Sequence, residues 1–238
     1  MPIDSSRRDT MDKYLKGNLS YWQKGYEAEN VESFVFRPYG RILKFEFGLD
    51  GSGHEKLLDF GCGAGAALKF FKSKGFDAYG IDISKIDIQR CKEKMPDIAE
   101  HFQIINSKPK SNQIFFGGNF DIIIAVQSLY YLSNKDLENA LMSLWNNMKP
   151  GAIIYATMMG TKHYMYKYSK KYKDGLRKID FSLPRITIKN YFVNFTASKK
   201  ELIEKFHIFK KCHVGYYDAK YREDEGCRFH YTFVGQKT

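Results

Sequence analysis

Cysteine is scarce in this sequence and never closely paired. Cys62, Cys91, Cys212 and Cys227 form no CxxC motif, so neither a zinc site nor a redox dithiol is indicated, and reduced thiols are expected. Long apolar runs are also missing. The longest aliphatic stretch, Ile122 to Val126, is far too short to span a bilayer, so no membrane insertion is expected. The first residues, Met1 to Asp9, lack the apolar segment of a secretory signal, and a cytoplasmic location is the expectation. There is no internal repeat and no long flexible linker. Acidic side chains are the minority, 27 against 38 basic ones, for a formal net charge of +11. That excess favours nucleic acid, anionic membranes or anionic metabolites as partners and does not choose among them. What is present in quantity is aromatic and apolar: 16% Phe, Trp and Tyr within 43% hydrophobic residues. At 238 residues this suits one α/β domain over 1–238 with a full core.

Apolar runs and helical patterns alternate along the chain. Residues 1–50 read as a helical cap with aromatic punctuation, kinked or broken at Pro38. Lys56–Phe60 reads as a strand, Ala64–Lys74 as a helix ended by Gly75, and Ala78–Ile83 as a second strand. Ser84 is placed to cap a helix that Pro96 stops. Phe102–Ile105 is a weak third strand. Phe120–Val126 has the continuous apolar character of a strand buried on both faces. Ser133 caps a helix through Asn146, and Lys149-Pro150-Gly151 turns into a fifth strand, Ala152–Thr157. The alternation predicts a doubly wound α/β sheet. After an amphipathic helix, Ser198–Phe209, the runs Lys211–Asp218 and Phe229–Gln236 read as an antiparallel hairpin at the sheet edge. Residues 160–197 fit no core element and carry Lys162, Lys167, Lys170, Lys171, Lys173 and Lys178 interleaved with tyrosines. A connection of this length is read as a substrate-covering insertion.

The chemistry-bearing motif is Leu57-Leu58-Asp59-Phe60-Gly61-Cys62-Gly63-Ala64-Gly65, followed by Gly80-Ile81-Asp82-Ile83. Its glycines also satisfy the loose dinucleotide pattern, with Ala66 in the third place. Asp59 argues against that reading, because a carboxylate beside the loop opposes a pyrophosphate seated on a helix N-terminus. A cationic nucleoside without phosphate, S-adenosylmethionine, suits the same loop. Asp59 can hold its methionine end, Gly61, Gly63 and Gly65 permit close backbone approach, and Asp82 can accept the ribose hydroxyls.

With Phe120-Asp121-Ile122-Ile123, Ala125-Val126-Gln127-Ser128 and Met148-Lys149-Pro150-Gly151 following in order, the chain resembles the class I S-adenosylmethionine-dependent methyltransferases from about Leu57 to Gly235. The resemblance implies a seven-stranded sheet of order 3-2-1-4-5-7-6 with strand 7 antiparallel. It implies S-adenosyl-L-methionine as cofactor, S-adenosyl-L-homocysteine as product, and cofactor contacts at Cys62, Ile83 and Gln127. It also points to an acid after the third strand for the adenine. Here that position reads Ile105-Asn106-Ser107-Lys108, so Asn106, Ser107 or backbone groups are the candidates.

Methyl transfer needs alignment above all, and a hydroxyl acceptor also needs a base. His163, just past the fifth strand, is the first candidate, with Tyr131 and His230 behind it. Tyr21 and Trp22 are expected to shield the cofactor. Tyr26, Arg37, Tyr130, Lys162 and Tyr164 are expected on the substrate side. The leading reading is methylation of an oxygen or nitrogen on a small polar, anionic metabolite, phosphorylated or sugar-linked. An RNA methyltransferase is the alternative, although the Asn/Asp-Pro-Pro-aromatic box for base amines is absent; a non-catalytic binding module is a third. No metal is implied, and the oligomeric state is left open.

Overall fold

The computed structural model describes residues 17–18, 31–183 and 186–238. A helical segment comes first: α1 (Ser33–Pro38), a π turn (Tyr39–Leu43) and α2 (Lys44–Phe47). The helix therefore continues through Pro38 instead of breaking there. Proline has no N–H for the carbonyl four residues back, which is that of Phe34. The Tyr155 hydroxyl donates to that carbonyl at 2.7 Å, so the lost donor is replaced from the sheet. Tyr155→Phe would leave the carbonyl unpaired. We expect a loss of about 1–2 kcal/mol in a denaturant titration, while an unchanged midpoint would mean that water reaches the carbonyl.

The wound sheet then builds in sequence order: β1 (Lys56–Phe60), α3 (Ala66–Ser73), β2 (Asp77–Asp82), α4 (Lys85–Lys94), β3 (Phe102–Ile104), β4 (Phe120–Ala125), α5 (Asn134–Asn147) and β5 (Met148–Met159). Ser84 and Ser133 cap α4 and α5 as their positions predict, accepting from Asp87 N at 3.3 Å and Asp136 N at 3.2 Å. The chain closes with α6 (Lys199–Lys205), β9 (Lys210–Asp218) and β10 (Phe229–Gln236). The helix is shorter than its amphipathic pattern suggests. The sheet has seven strands in the order β3-β2-β1-β4-β5-β10-β9, with β10 antiparallel to both neighbours. That is the order 3-2-1-4-5-7-6 expected from sequence.

Strand alternation divides the core into two layers. Leu57, Ile122 and Ile124 face Leu68, Phe71 and Ile88 of α3 and α4. Leu58, Ile123 and Ala125 face Leu137, Leu141 and Leu144 of α5. Parallel strands with helices on both faces are apolar along their buried length, and β4 is so from Ile122 to Ala125; Asp121, at its start, pairs with Lys149 at 2.7 Å.

The insertion corrects the sequence reading. It is not structureless: β6 (Ser169–Lys171), β7 (Arg177–Leu183) and β8 (Ile186–Val193) form a second, antiparallel sheet. Ile179, Ile188, Tyr191 and Val193 are buried in the α5-side core. Of the lysines that make the segment look like a loop, Lys178 alternates with buried Ile179 in β7, while Lys162, Lys167, Lys170, Lys171 and Lys173 are exposed in turns and the short β6. Both ends of the insertion are tied together, since Thr196 N donates to Met159 O at 2.9 Å and Thr161 N to Thr196 O at 3.1 Å. No helix among the described residues is long and apolar enough to cross a membrane.

Candidate methyl-transfer site

At the carboxyl ends of β1 and β2 the glycine loop is strapped to its neighbour strand. Gly61 N and Cys62 N both donate to Ile81 O, at 2.8 and 3.1 Å. Asp82 spans the gap with both oxygens, accepting from Gly63 N at 2.9 Å and Ser84 N at 2.8 Å. The glycines serve different ends. Gly61 (φ +78°) lies so near Ser128 that a Cβ would sit 2.5 Å from the Ser128 Cβ. Gly63 (φ +50°) has nothing within 4 Å on that side, because it faces the cavity. Gly65 caps α3 with φ +83°, and a Cβ there would press on Cys91 and Met95. Gly65 thus packs α3 onto α4 and is not among the residues that line the cavity.

Asp59 is 3% exposed and accepts no hydrogen bond from the described residues. Burial, and secondarily the Asp82 carboxylate, push its pKa up to about 8. Burial also raises Asp82, with the Ser84 and Gly63 N–H groups pulling the other way. Two buried carboxyls, with no paired cation among the described residues, define one end of a cavity of about 620 Å³, in the range of small-molecule sites. Cys62, Ile83, Asn106, Ser107 and Gln127 line it as expected. The Asn106 side-chain oxygen, however, accepts from Lys108 N at 2.9 Å and is spent on its own loop.

The cavity continues past β4 and β5 under the insertion. Gln127, held at φ +54°, donates from Nε2 to the Tyr217 hydroxyl at 2.9 Å. Tyr217 stacks between Phe34 (centroids 4.5 Å) and His230 (5.0 Å, 7° between planes). Tyr130, Tyr131 and Tyr164 line this part, as expected, and so does Tyr191. The Tyr131 hydroxyl lies 2.6 Å from that of Tyr191 and donates to that of Tyr130 at 3.2 Å. Burial and these two phenols push its pKa well up, so Tyr131 serves as a neutral hydrogen-bonding group and not as the base expected of it.

His163 also changes role. Its Nδ1 accepts from Met165 N at 3.2 Å, capping the turn Tyr164–Tyr168. The remaining ring nitrogen must then carry the proton and donate. Burial, followed by His230 and Arg228, lowers its pKa to about 3. His163 lines the cavity, but its lone pair is already used.

Two expected substrate contacts lie elsewhere. Arg37 is exposed on α1, and Lys162 is exposed with its Nζ over the Phe229 ring at 5.3 Å. Neither is among the residues that line the cavity, nor are Lys167, Lys170, Lys171, Lys173 or Lys178. Among the described residues the Lys or Arg that lines it is Arg228. Tyr21, Trp22 and Tyr26 lie outside the described residues. Asn18 does reach the cavity wall, exchanging hydrogen bonds with the Phe192 backbone (2.9 and 2.8 Å). Ser128 belongs to the strand-four block and Phe34 to the aromatic N-terminal cap, whereas Tyr217 and Arg228 were not singled out by sequence reasoning. They come from a hairpin that carries no local motif.

Residues 31–196 match the family model of the methyltransferase domain. The chain belongs to that methyltransferase family. YqeM of Bacillus subtilis is 26% identical over 156 residues, covering 64% of this chain and 60% of that protein. The uncharacterized methyltransferase C750.03c of Schizosaccharomyces pombe is 30% identical over 94 residues, 40% of this chain and 64% of that protein. The matches therefore span less than two thirds of either relative. Among solved structures, the PH0226 protein of Pyrococcus horikoshii superposes with a TM-score of 0.64 at 18% identity, covering 92% of this chain and 99% of that one. The N-methyltransferase NodS of Bradyrhizobium japonicum, in complex with S-adenosyl-L-homocysteine, gives 0.61 at 13%, covering 95% and 99%. The 1,6-didemethyltoxoflavin-N1-methyltransferase of Burkholderia thailandensis, with that compound and S-adenosylhomocysteine bound, gives 0.64 at 14%, covering 95% and 88%. At such identities the likeness shows the shared methyltransferase fold.

Proposed function

We propose that this methyltransferase uses S-adenosylmethionine to methylate an oxygen or nitrogen of a small polar molecule. The observation that carries the reading is Asp59, a buried carboxyl with no donor, beside the open face of Gly63. The residues fit that donor: the loop offers space where a Cβ would intrude, and two carboxyls await positive charge. Bound there, the sulfonium supplies an activated methyl group and a neutral leaving group. Asp59 and Asp82 would hold its ammonium and ribose ends, and the β1–α3 loop would fix its position. The chain's own contribution is alignment, worth up to ~7–11 kcal/mol in well-oriented cases, together with exclusion of water by the insertion. For the acceptor, Arg228 is the lining cation available to an anionic substituent. A phosphorylated acceptor draws no support from the insertion's lysines, which face away.

Calorimetry with S-adenosylhomocysteine tests the donor site. Asp82→Ala removes a carboxylate that also holds Gly63 and Ser84, and charged hydrogen bonds are worth about 1.5–3 kcal/mol each. Affinity should fall by about 100-fold or more. No binding to the unaltered protein, or equal binding to the variant, would sink the assignment.

A further inference from the structure

His230 lies in β10 and is 4% exposed. Its Nδ1 is 2.9 Å from the Arg228 carbonyl oxygen. A carbonyl only accepts, so Nδ1 carries the proton and Nε2 holds a bare lone pair. The Arg228 backbone is itself held, since Arg228 N donates to Asp218 Oδ1 at 2.7 Å. Nε2 is buried and has no partner among the described residues, while the residue lines the cavity. A buried acceptor without a donor is costly unless a ligand supplies one. Around it the walls are aromatic and thioether: Tyr130, Tyr164, Tyr191, Tyr217, Met159 and Met165.

We infer that His230 is the proton acceptor of this site and that the methyl acceptor is a small, flat ring compound presenting an O–H or N–H to Nε2. The inference rests on the methyl-transfer reading. Nε2 takes the proton from the acceptor's oxygen or nitrogen. The freed lone pair forms the new bond to the methyl carbon as the carbon–sulfur bond breaks, leaving its electron pair on sulfur. The imidazolium then returns its proton to solvent when product leaves. The ring stack with Tyr217 fixes the direction of the lone pair, and aromatic and sulfur-bearing walls favour a flat ring over a flexible polyanion.

Burial lowers the pKa of His230 to about 4. The groups that face it are the His163 ring, the Tyr130 and Tyr217 phenols, and the Arg228 and Asp218 charges. Arg228 adds to the lowering and Asp218 opposes it. A folded pKa below the ordinary value leaves the lone pair free at every pH above about 4.

The test is long-range proton–nitrogen NMR on protein labelled at its six histidines, with S-adenosylhomocysteine bound. His230→Phe keeps the ring stack and assigns the signal. The unaltered protein should show a protonated Nδ1 and a bare Nε2 from pH 6 to 8. Phenol should then shift the Nε2 resonance, whereas anisole, which has no donor, should not. Phenol should bind about tenfold more tightly than anisole, the order of the net gain from one hydrogen bond, and His230→Phe should erase that preference. A protonated Nε2, no response to phenol, or an unchanged preference in the variant would overturn the inference. Calorimetry on the same samples separates the two levels. If S-adenosylhomocysteine binds and phenol does not move Nε2, this inference alone fails; if S-adenosylhomocysteine does not bind, the methyl-transfer reading fails with it.

Discussion

Replacing Asp59 with Asn should make the protein more stable at pH 8 and a poorer binder of S-adenosylhomocysteine. In the unfolded chain the carboxyl titrates near 3.8, and in the folded protein near 8. Between those values the folded state holds a proton that the unfolded state does not. Stability therefore falls as pH rises from about 4 to about 8 and levels above that. The full shift corresponds to roughly 6 kcal/mol of buried-charge cost, an order-of-magnitude upper bound shared with Asp82. Asn fills the same space without ionising. Its melting temperature should exceed that of the unaltered protein at pH 8, and the slope between pH 5 and 8 should flatten. A ligand ammonium reverses the balance by stabilising the ionised form. Binding to the unaltered protein at pH 7 should then release a proton, visible as different heats in buffers of different ionisation enthalpy. The Asn variant should release none and bind about 100-fold more weakly, the order of one charged hydrogen bond lost in a buried site. A variant no more stable at pH 8 would show that Asp59 meets water or a cation in the free protein.

The loop glycines should separate folding from binding. Gly61→Ala drives a Cβ to 2.5 Å from the Ser128 Cβ at φ +78°. Neither backbone can yield without moving the β4 end or breaking the bonds to Ile81. We expect a loss of about 2–4 kcal/mol, typical of overpacking combined with a strained left-handed residue, and no detectable S-adenosylhomocysteine binding. At Gly63 the added methyl meets open space, so thermal melting should shift only by the left-handed penalty of about 1 kcal/mol. Binding should nevertheless fall by at least tenfold, because that space is the ligand's. If Gly63→Ala bound normally, the donor would sit elsewhere in the cavity.

Much of this was legible along the chain because it rests on local rules. Ser84 and Ser133 cap the helices they precede, and the apolar run of β4 reports burial on both faces. The order of the glycine loop, Asp82 and the strand-four block carries the family and with it the sheet order. The insertion was read wrongly because composition masked period. Counting lysines and tyrosines from Lys162 to Lys178 suggests a basic flap, but the apolar residues that follow, Ile179, Ile188, Tyr191 and Val193, sit in paired strands and are buried in the core. Arg37 and Lys162 were misplaced for the same reason, since charge does not say which face a residue occupies.

The sequence by itself determined the doubly wound α/β sheet and the glycine loop at the end of β1, because helix periods, caps and positive-φ glycines act over a few residues. The proton chemistry was decided only in the tertiary structure. His163 sits at the strand end where a base is expected, yet its lone pair goes to Met165 N. His230, remote in sequence, has its Nδ1 fixed by the Arg228 carbonyl and its Nε2 left bare among rings from β9 and the β4 loop. Asp59 belongs to both levels: its place in the motif is written locally, but its ionisation depends on burial by residues distant in the chain.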